Sequence, residues 1–199
     1  MQNKAIKLKL EADQKTVLVM DGQSKICNWL YNHLLETAEA FKKKYQQTQD
    51  EKSMQIVYTK RGLRNLLPSL KTVKPFLKTV HSSPLKNTAL RLSRAIQEHQ
   101  KGKKGKRKKM SGWPHFRSWQ QKWFSLFYDE PNKGFKIEKD KLILSLGQDE
   151  NKKRIYVEFL IKDKKRLKGY CIRNLRIVRE NNIFFVIFTV RTKIPEKKQ

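Results

Sequence analysis

The sequence has few acidic residues, few cysteines and no long apolar run. Only 18 of its 199 residues are Asp or Glu, against 46 Lys or Arg, so the formal net charge is +28. Its two cysteines, Cys27 and Cys171, form no CxxC pair. We therefore expect no zinc site and no disulfide, and we interpret both as ordinary buried thiols. The longest apolar run, from Ile183 to Val190, contains a Thr and has the length of a strand, not of a membrane-spanning helix.

The excess of positive charge is larger than solubility requires. It disfavours a compact chain unless a polyanion binds. The basic residues run through the whole sequence instead of lining one amphipathic helix, which favours nucleic acid over an anionic membrane surface. The first residues, MQNKAIKLKLEAD, lack the apolar core of a signal peptide. We therefore expect a cytoplasmic protein that is associated with the nucleoid through nucleic acid.

A basic run and an aromatic turn follow each other near the middle of the chain. Seven of the nine residues from Lys101 to Lys109 are Lys or Arg, and the turn GWPHFRS at 112–118 comes directly after. Such a run attracts phosphates, and the aromatic rings can stack on bases or pack in a core. The run is equally typical of a solvated linker, and the turn of packing against a β-barrel. Arg117 and Lys122 are stronger candidates for RNA contacts than the aromatic residues of the turn, because their positive charge suits phosphates.

Helical periodicity dominates the first half of the sequence. An apolar stripe predicts helix from about Asp13 to Gln46, which we expect Gly22 to break into a short and a long segment. Residues 47–55 are polar and predict a loop. A short leucine-rich helix follows, and we expect it to stop near Pro68 to Pro75. Ser82-Ser83-Pro84 predicts the start of a helix to Gln100, with a capping hydroxyl and then Pro in the first turn.

Period-two alternation predicts strands at both ends of the sequence. The predicted strands are Lys4–Leu10, Gly134–Ile137, Lys141–Leu146, Arg154–Ile161, Ile172–Arg179 and Ile183–Val190. The last two flank Glu180-Asn181-Asn182, a tight-turn sequence. We interpret the first strand as part of one antiparallel, barrel-like sheet with the later strands. The predicted fold class is α+β: residues 1–10 and 106–199 form the barrel, and residues 11–105 form an inserted helical subdomain that ends in the basic linker.

Five segments in this order and spacing resemble a known family. They are Asn3-Lys4-Ala5, Trp29-Leu30-Tyr31-Asn32-His33, Val80–Ile96, Gly112–Ser118 and Lys141–Gly147. Together they resemble the N-terminal half of TnpB, the transposon-encoded OrfB proteins, and of the related compact type V CRISPR effectors. The resemblance covers essentially the whole chain and implies a wedge β-barrel interrupted by a helical recognition domain.

The resemblance also implies a function in RNA-guided transposition and DNA recombination. In that family, this half binds the guide-RNA scaffold and the guide–target duplex, and it reads a short DNA motif beside the target. A RuvC-like nuclease domain in the second half, usually with a zinc-binding insert, cuts the DNA.

The nuclease half has no counterpart in this sequence. Asp21, Asp129, Asp140 and Asp163 lack a DxG-type strand context, whereas two-metal cleavage needs carboxylates that hold ions about 4 Å apart. We therefore expect no cofactor and no nuclease activity, unless a separate RuvC-containing chain supplies the carboxylates. The chain would then be a truncated transposon gene product, one piece of a split effector or a repurposed binding protein.

The helix that begins at Ser82 is the main candidate for reading DNA. With its apolar face inward, Ser82, Lys86 and Asn87 point outward, and Lys and Asn suit base edges or phosphates. The alternative is that all three are solvated surface residues. By position, the resemblance assigns Ser82 and Lys86 to the DNA motif beside the target. Further DNA candidates are Tyr58, Thr59, Lys60 and Tyr128.

Candidate RNA contacts are spread over the whole chain. We expect Trp29 and Tyr31 to pack between helices, and the resemblance adds an RNA or duplex role for Asn32 and His33. His33 has no metal-binding partner one helical turn away. Basic residues around two turns of the β region favour an RNA-scaffold surface over solvated loops. The RNA candidates are Lys4, Asn32, His33, Lys103, Lys104, Lys106, Arg107, Lys108, Arg117, Lys122, Lys153, Arg154, Lys165 and Arg166.

The sequence therefore predicts the nucleic-acid-binding module of a TnpB-like RNA-guided system. Its expected partners are a structured noncoding or guide RNA, double-stranded DNA and, for cleavage, a separate RuvC-containing chain, with no membrane. The main alternative is a stand-alone DNA-binding transposition accessory protein or transcriptional regulator that works without RNA. A second alternative is an RNA-binding structural protein or non-functional remnant. A nuclease active as this single chain lacks its motif.

Overall fold

Helices and one antiparallel sheet make up the fold in the computed structural model, which describes residues 3–105, 111–119 and 124–192. The class is α+β, as the sequence predicts. The elements are β1 (Lys4–Glu11), α1 (Gln14–Thr48), α2 (Glu51–Tyr58), α3 (Gly62–Asn65), α4 (Leu67–Val73), a 3-10 turn (Pro75–Thr79), α5 (Ser82–Lys103), β2 (Ser125–Tyr128), β3 (Phe135–Glu138), β4 (Lys141–Gln148), β5 (Arg154–Ile161), a second 3-10 turn (Lys164–Leu167), β6 (Tyr170–Glu180) and β7 (Ile183–Thr192). The described residues within 1–24 and 124–199 form one compact unit, the sheet unit, and those within 25–123 form a second, the helical unit.

The first strand of the chain lies inside the sheet. The described strands are ordered β2-β6-β7-β1-β5-β4-β3, and the sheet is curled into a half-barrel with β2 and β3 at its edges. β1 pairs along its length with β7 and, at its end, with β5, so the prediction that the first strand joins the later ones is confirmed. At the β6–β7 turn, Asn181 and Asn182 adopt φ of 47° and 64°, the left-handed conformation that a tight hairpin turn requires.

The inner face of the sheet carries the core of the sheet unit. In β1, Ile6, Leu8 and Leu10 are at most 3% exposed, whereas the lysines between them are exposed. Phe184 of β7 packs edge-on against Phe159 of β5, with ring centroids 5.6 Å apart. Each apolar side chain buried in this way stabilises the fold by about 1.5–3 kcal/mol. The alternation thus fixes which face is left to the basic side chains.

The long first helix differs from its prediction. α1 is continuous through Gly22, so the predicted break is wrong. One glycine in a helix interior costs about 1 kcal/mol, and burial of Met20, Leu30 and Leu34, each 0% exposed, outweighs that cost. Among the described helices, none has an apolar stretch long enough to cross a bilayer.

The segment predicted to be a loop, 47–55, contains most of α2. Asp50 begins this helix: its carboxylate accepts from the backbone N–H of Lys52 at 3.3 Å and from the Ser53 hydroxyl at 2.6 Å. An Asp that satisfies free N–H groups stabilises a helix start. The polar composition that predicted a loop is therefore the composition of a helix cap and an exposed face.

Three prolines and a histidine lie at the boundaries of α4 and α5. Pro68 lies in the first turn of α4, where no N–H is needed from it, so the helix continues past Pro68 and ends at Val73, within the predicted range of Pro68 to Pro75. Pro75 follows the end of α4. α5 has Pro84 in its first turn as predicted, but its cap is the ring of His81, whose Nδ1 accepts from the Ser83 backbone N–H at 3.1 Å. The predicted serine hydroxyl cap is therefore wrong.

The two cysteines lie in different environments. Cys27 is 1% exposed, and burial raises the pKa of its thiol to about 12, although a hydrogen bond with Thr88 opposes this shift. Cys171 on β6 is exposed, so the prediction of a buried thiol is wrong there. A bulge between Ile172 and Asn174 shifts the register of β6 just beyond it, which changes the alternation that a regular strand would keep.

Candidate nucleic-acid interface

The helical segment between Glu51 and Glu98 contains no acidic residue. Residues 52–97 include ten Lys or Arg and no Asp or Glu. Apolar side chains hold this segment together: Leu63 and Leu85, which are 0% exposed, belong to α3 and α5. No carboxylate of the same segment offsets its positive charge, so the helices build a local positive potential.

A groove on these helices collects basic and amide side chains. It has a volume of about 420 Å³ and lies between α3–α4 and the first turns of α5. We call it the helical groove. It is lined by Arg64, Asn65, Leu67, Pro68, Lys71, Ser82 and Lys86.

Lys71 is a half-buried cation in the lining of the helical groove. Its ammonium donates to the Ser82 hydroxyl at 3.2 Å. Burial lowers the pKa of Lys71, and the nearby charge of Lys86 lowers it further. Two cations that repel each other, one of them partly removed from water, are stabilised by an anion that contacts both. The groove is therefore suited to a phosphate group.

The structure places the DNA candidates in three different environments. Ser82 and Lys86 line the helical groove together, and Asn87 is a half-exposed neighbour on the same helix outside its lining. Tyr58, Thr59 and Lys60 lie at and beyond the end of α2, where the Tyr58 carbonyl accepts from Gln97 Nε2 at 3.1 Å.

Tyr128 is fully buried in β2, so its ring is not presented on a surface. The sequence prediction also missed three groove residues, Arg64, Asn65 and Lys71. The lack of acidic residues over 52–97 is the signal that could have pointed to them.

The aromatic turn is fixed to the helices of its own unit. Asn32 Oδ1 accepts from the Arg117 backbone N–H at 2.8 Å, and Asn32 Nδ2 donates to the Arg117 carbonyl at 2.9 Å. The Arg117 guanidinium lies 3.5 Å from the centre of the Tyr31 ring. Burial lowers the pKa of Arg117 and, less strongly, so does Arg91. Both polar atoms of the Asn32 side chain, an RNA candidate, are therefore hydrogen-bonded to the Arg117 backbone.

Other aromatic side chains of the helical unit form a small stack. His33 lies parallel to Trp29 with ring centroids 4.9 Å apart, and Phe76 meets Trp29 edge-on at 4.9 Å. Trp113 of the turn packs edge-on against His99 and under Lys42, whose Nζ is 4.2 Å from the ring centre. These rings contact helices, as expected for packing residues.

The outer face of the sheet alternates cations with apolar side chains. One row crosses four strands in register: Phe127 pairs with Arg176, Arg176 with Ile187, and Ile187 with Lys7. Arg176 lies 5.3 Å from the centre of the Phe127 ring, and Lys7 Nζ lies 4.3 Å from that of Phe185. We call this the outer sheet surface. Rings flanked by cations are the usual platform for unpaired bases.

The remaining RNA candidates lie at several places. Lys4 Nζ is 5.5 Å from the ring centre of Tyr170, at the start of β1. Arg166 donates to the Lys7 carbonyl at 3.3 Å, and Lys165 is exposed beside it. The exposed Lys153 and Arg154 lie at the start of β5, and the exposed Lys103 and Lys104 lie at the end of α5. Four candidates lie outside the described residues: Lys106, Arg107, Lys108 and Lys122.

Within residues 3–105, 111–119 and 124–192, no group of three or more His, Cys, Asp or Glu side chains could hold a metal ion. No model of a known protein family matches the chain, and no curated protein matches it significantly. Any inference about function therefore depends on the helical groove and the outer sheet surface.

Proposed function

We propose that this chain is the nucleic-acid-binding module of a TnpB-like RNA-guided system. The sheet unit acts as the wedge barrel and binds a structured RNA, and the helical unit acts as the inserted recognition domain and binds DNA beside the target. Cleavage, where it occurs, is the work of a separate RuvC-containing chain. The observation that carries the proposal is the meeting of Lys71, Ser82 and Lys86 in the helical groove.

The groove supports DNA binding because two kinds of contact are available in it. Lys71 and Lys86 can neutralise backbone phosphates, which fixes the position of a duplex without reading its sequence. Asn65 and Ser82 can donate to and accept from base edges, which are the contacts that distinguish bases. A short motif can be read by so few groups, while base pairing with a guide RNA reads the rest of the target.

RNA binding is supported by the outer sheet surface. Arg176 supplies charge, as does Lys7, whose ammonium also contacts Glu180 at 2.6 Å, and the rings of Phe127 and Phe185 supply flat faces for unpaired bases. The large net charge of +28 makes strong, salt-dependent association with RNA the expected behaviour of the chain.

The test is DNA binding by the chain with and without its co-purified RNA. We expect tight binding to DNA that carries the adjacent motif only when RNA is present. Lys71→Met and Lys86→Met should each weaken that binding and reduce the slope of log affinity against log salt by about one. Lys74→Met is the matched control, because Lys74 is an exposed lysine just beyond α4 and outside the groove lining.

Two results would contradict the proposal. Equal DNA affinity with and without RNA would indicate the stand-alone regulator or accessory protein instead. Equal losses for Lys71→Met and Lys74→Met would mean that only bulk charge matters and that the helical groove is not the binding site.

A further inference from the structure

A second cavity of about 420 Å³ lies on the sheet, where β3, β4 and β5 meet. Ile143 and Ser145 line it and are only 8% and 3% exposed. Tyr156 also lines it, with 52% of its surface exposed. We call this cavity the sheet pocket. Its volume is near the lower end of the range of ligand pockets, about 300–1,000 Å³, which is enough for one nucleotide.

A break in strand pairing accounts for the position of the sheet pocket. β4 and β5 pair regularly up to Ser145 and Tyr156, and the register then shifts before Gln148 meets Arg154. An extra residue at such a bulge bends the strand and re-aims the side chains on either side of it. Tyr156 and Arg154, on the two sides of this shift, both line the pocket.

The charges around the sheet pocket are mixed. Lys133, Lys136 and Arg154 bring positive charge, and Glu138 and Glu158 bring negative charge. Lys136 Nζ lies 2.6 Å from a Glu138 oxygen, and Glu158 accepts from Lys141 at 2.7 Å across the strands. A carboxylate has about four acceptor sites, so each keeps capacity for another donor. Carboxylates in the wall disfavour a free inorganic anion, whereas a base has amino groups for them.

We propose that the sheet pocket binds one unpaired nucleotide of the bound RNA. The base stacks on Tyr156, and its phosphates lie toward Lys133 and Arg154. The glutamates accept from the base, which favours adenine, cytosine and guanine over uracil, since uracil has no exocyclic amino group. This inference rests on the proposed function for the source of the nucleotide, and it gives Arg154 a defined place among the predicted RNA contacts.

Fluorescence of an adenine analogue tests the proposal. The probe is a short single-stranded RNA that carries one aminopurine between uridines, which stack weakly, so that its emission is high when free and falls when it stacks on Tyr156. We expect the wild-type chain to quench it. Tyr156→Leu should remove the quenching and weaken binding by roughly 5- to 150-fold, the contribution of one stacked base. Tyr156→Phe should behave as wild type, and so should the control Leu160→Ala, an exposed position on the same strand outside the pocket.

The outcomes separate this inference from the proposed function. Failure of the wild-type chain to bind this probe, with its co-purified structured RNA still bound tightly, would overturn the pocket alone, whereas failure to bind either RNA would overturn both. Tight binding that Tyr156→Leu leaves unchanged, with the same quenching, would overturn the pocket alone. Tighter binding of free AMP than of the oligonucleotide, lost in Tyr156→Leu, would assign the pocket to free nucleotides and contradict an RNA site. Oligo(U) RNA that binds as tightly as oligo(A) would contradict the role of the glutamates.

Discussion

Asn32 holds the backbone of Arg117, 85 residues away in sequence, through both ends of its amide. The Arg117 carbonyl also accepts from Asn28 Nδ2 at 3.3 Å. The turn that carries Arg117 is therefore attached to α1 by side chains spaced one helical turn apart. Asparagine suits this position because one side chain both donates and accepts, which matches the backbone N–H and C=O of one residue.

Asn32→Ala should destabilise the protein by about 1–3 kcal/mol, because it removes two hydrogen bonds to the backbone of Arg117 and leaves the carbonyl with Asn28 alone. Chemical denaturation measures the loss. Gln47→Ala, an exposed polar position on the same helix, is the control and should change stability by less than about 0.5 kcal/mol. Equal effects of the two substitutions would refute the structural role of Asn32.

Two glycines in helices should respond to alanine with opposite signs. A Cβ on Gly62 would lie 2.2 Å from the Ile56 carbonyl oxygen, which belongs to the backbone and cannot move aside cheaply. Gly62→Ala should therefore cost about 1–3 kcal/mol. A Cβ on Gly22 meets nothing within 4 Å, so Gly22→Ala should stabilise α1 by about 0.5–1 kcal/mol. Thermal melts of the two variants give the signs directly, and destabilisation by Gly22→Ala would contradict the continuous α1.

Asp50 should make stability depend on acid pH. Hydrogen bonds from Ser53 and Lys44, in that order of effect, lower the pKa of Asp50 from 3.8 to about 2. A carboxyl group whose folded pKa is depressed contributes stability above its unfolded pKa and loses it as pH falls toward the folded value. The contribution should therefore be present above about pH 4 and disappear toward pH 2. Asp50→Asn should make stability depend less on pH between about pH 4 and pH 2. An unchanged pH dependence in this range would contradict the role of Asp50 as the cap of α2.

The two thiols should react at very different rates. Cys171 is exposed, whereas Cys27 is buried with its pKa raised to about 12, so Cys27 has almost no thiolate at neutral pH. A maleimide reagent at neutral pH should label one thiol quickly and the second only after unfolding. Cys171→Ser should abolish the fast phase. A fast phase that survives in this variant would mean that Cys27 is accessible.

The sequence predicted the sheet better than it predicted the helices. Alternation with a period of two shows directly which side chains of a strand face the core, and Ile6, Leu8 and Leu10 are buried together as it indicates. β5 begins and ends at its predicted residues, Arg154 and Ile161. Helix ends depend on single groups that composition does not rank. Asp50 begins a helix in a segment that was expected to be a loop. His81 caps a helix that a serine hydroxyl was expected to cap.

The candidate site was predictable only in part. The amphipathic pattern of α5 predicts that Ser82 and Lys86 point outward near the helix start, and in the structure both line the helical groove. The opposite wall comes from Arg64 and Lys71 on two short helices, and their approach depends on tertiary packing that has no local signature. The same limit applies to Tyr128, whose aromatic character fits both stacking and burial, and which the fold buries.

The central claim is that RNA directs this chain to DNA. The most direct measurement is to purify the protein from its native host, extract the nucleic acid bound to it and sequence it. We expect one discrete RNA that maps beside the gene and is retained by the protein. Recovery of only heterogeneous RNA that salt removes would contradict RNA guidance and would indicate a generic polycation or a direct DNA binder.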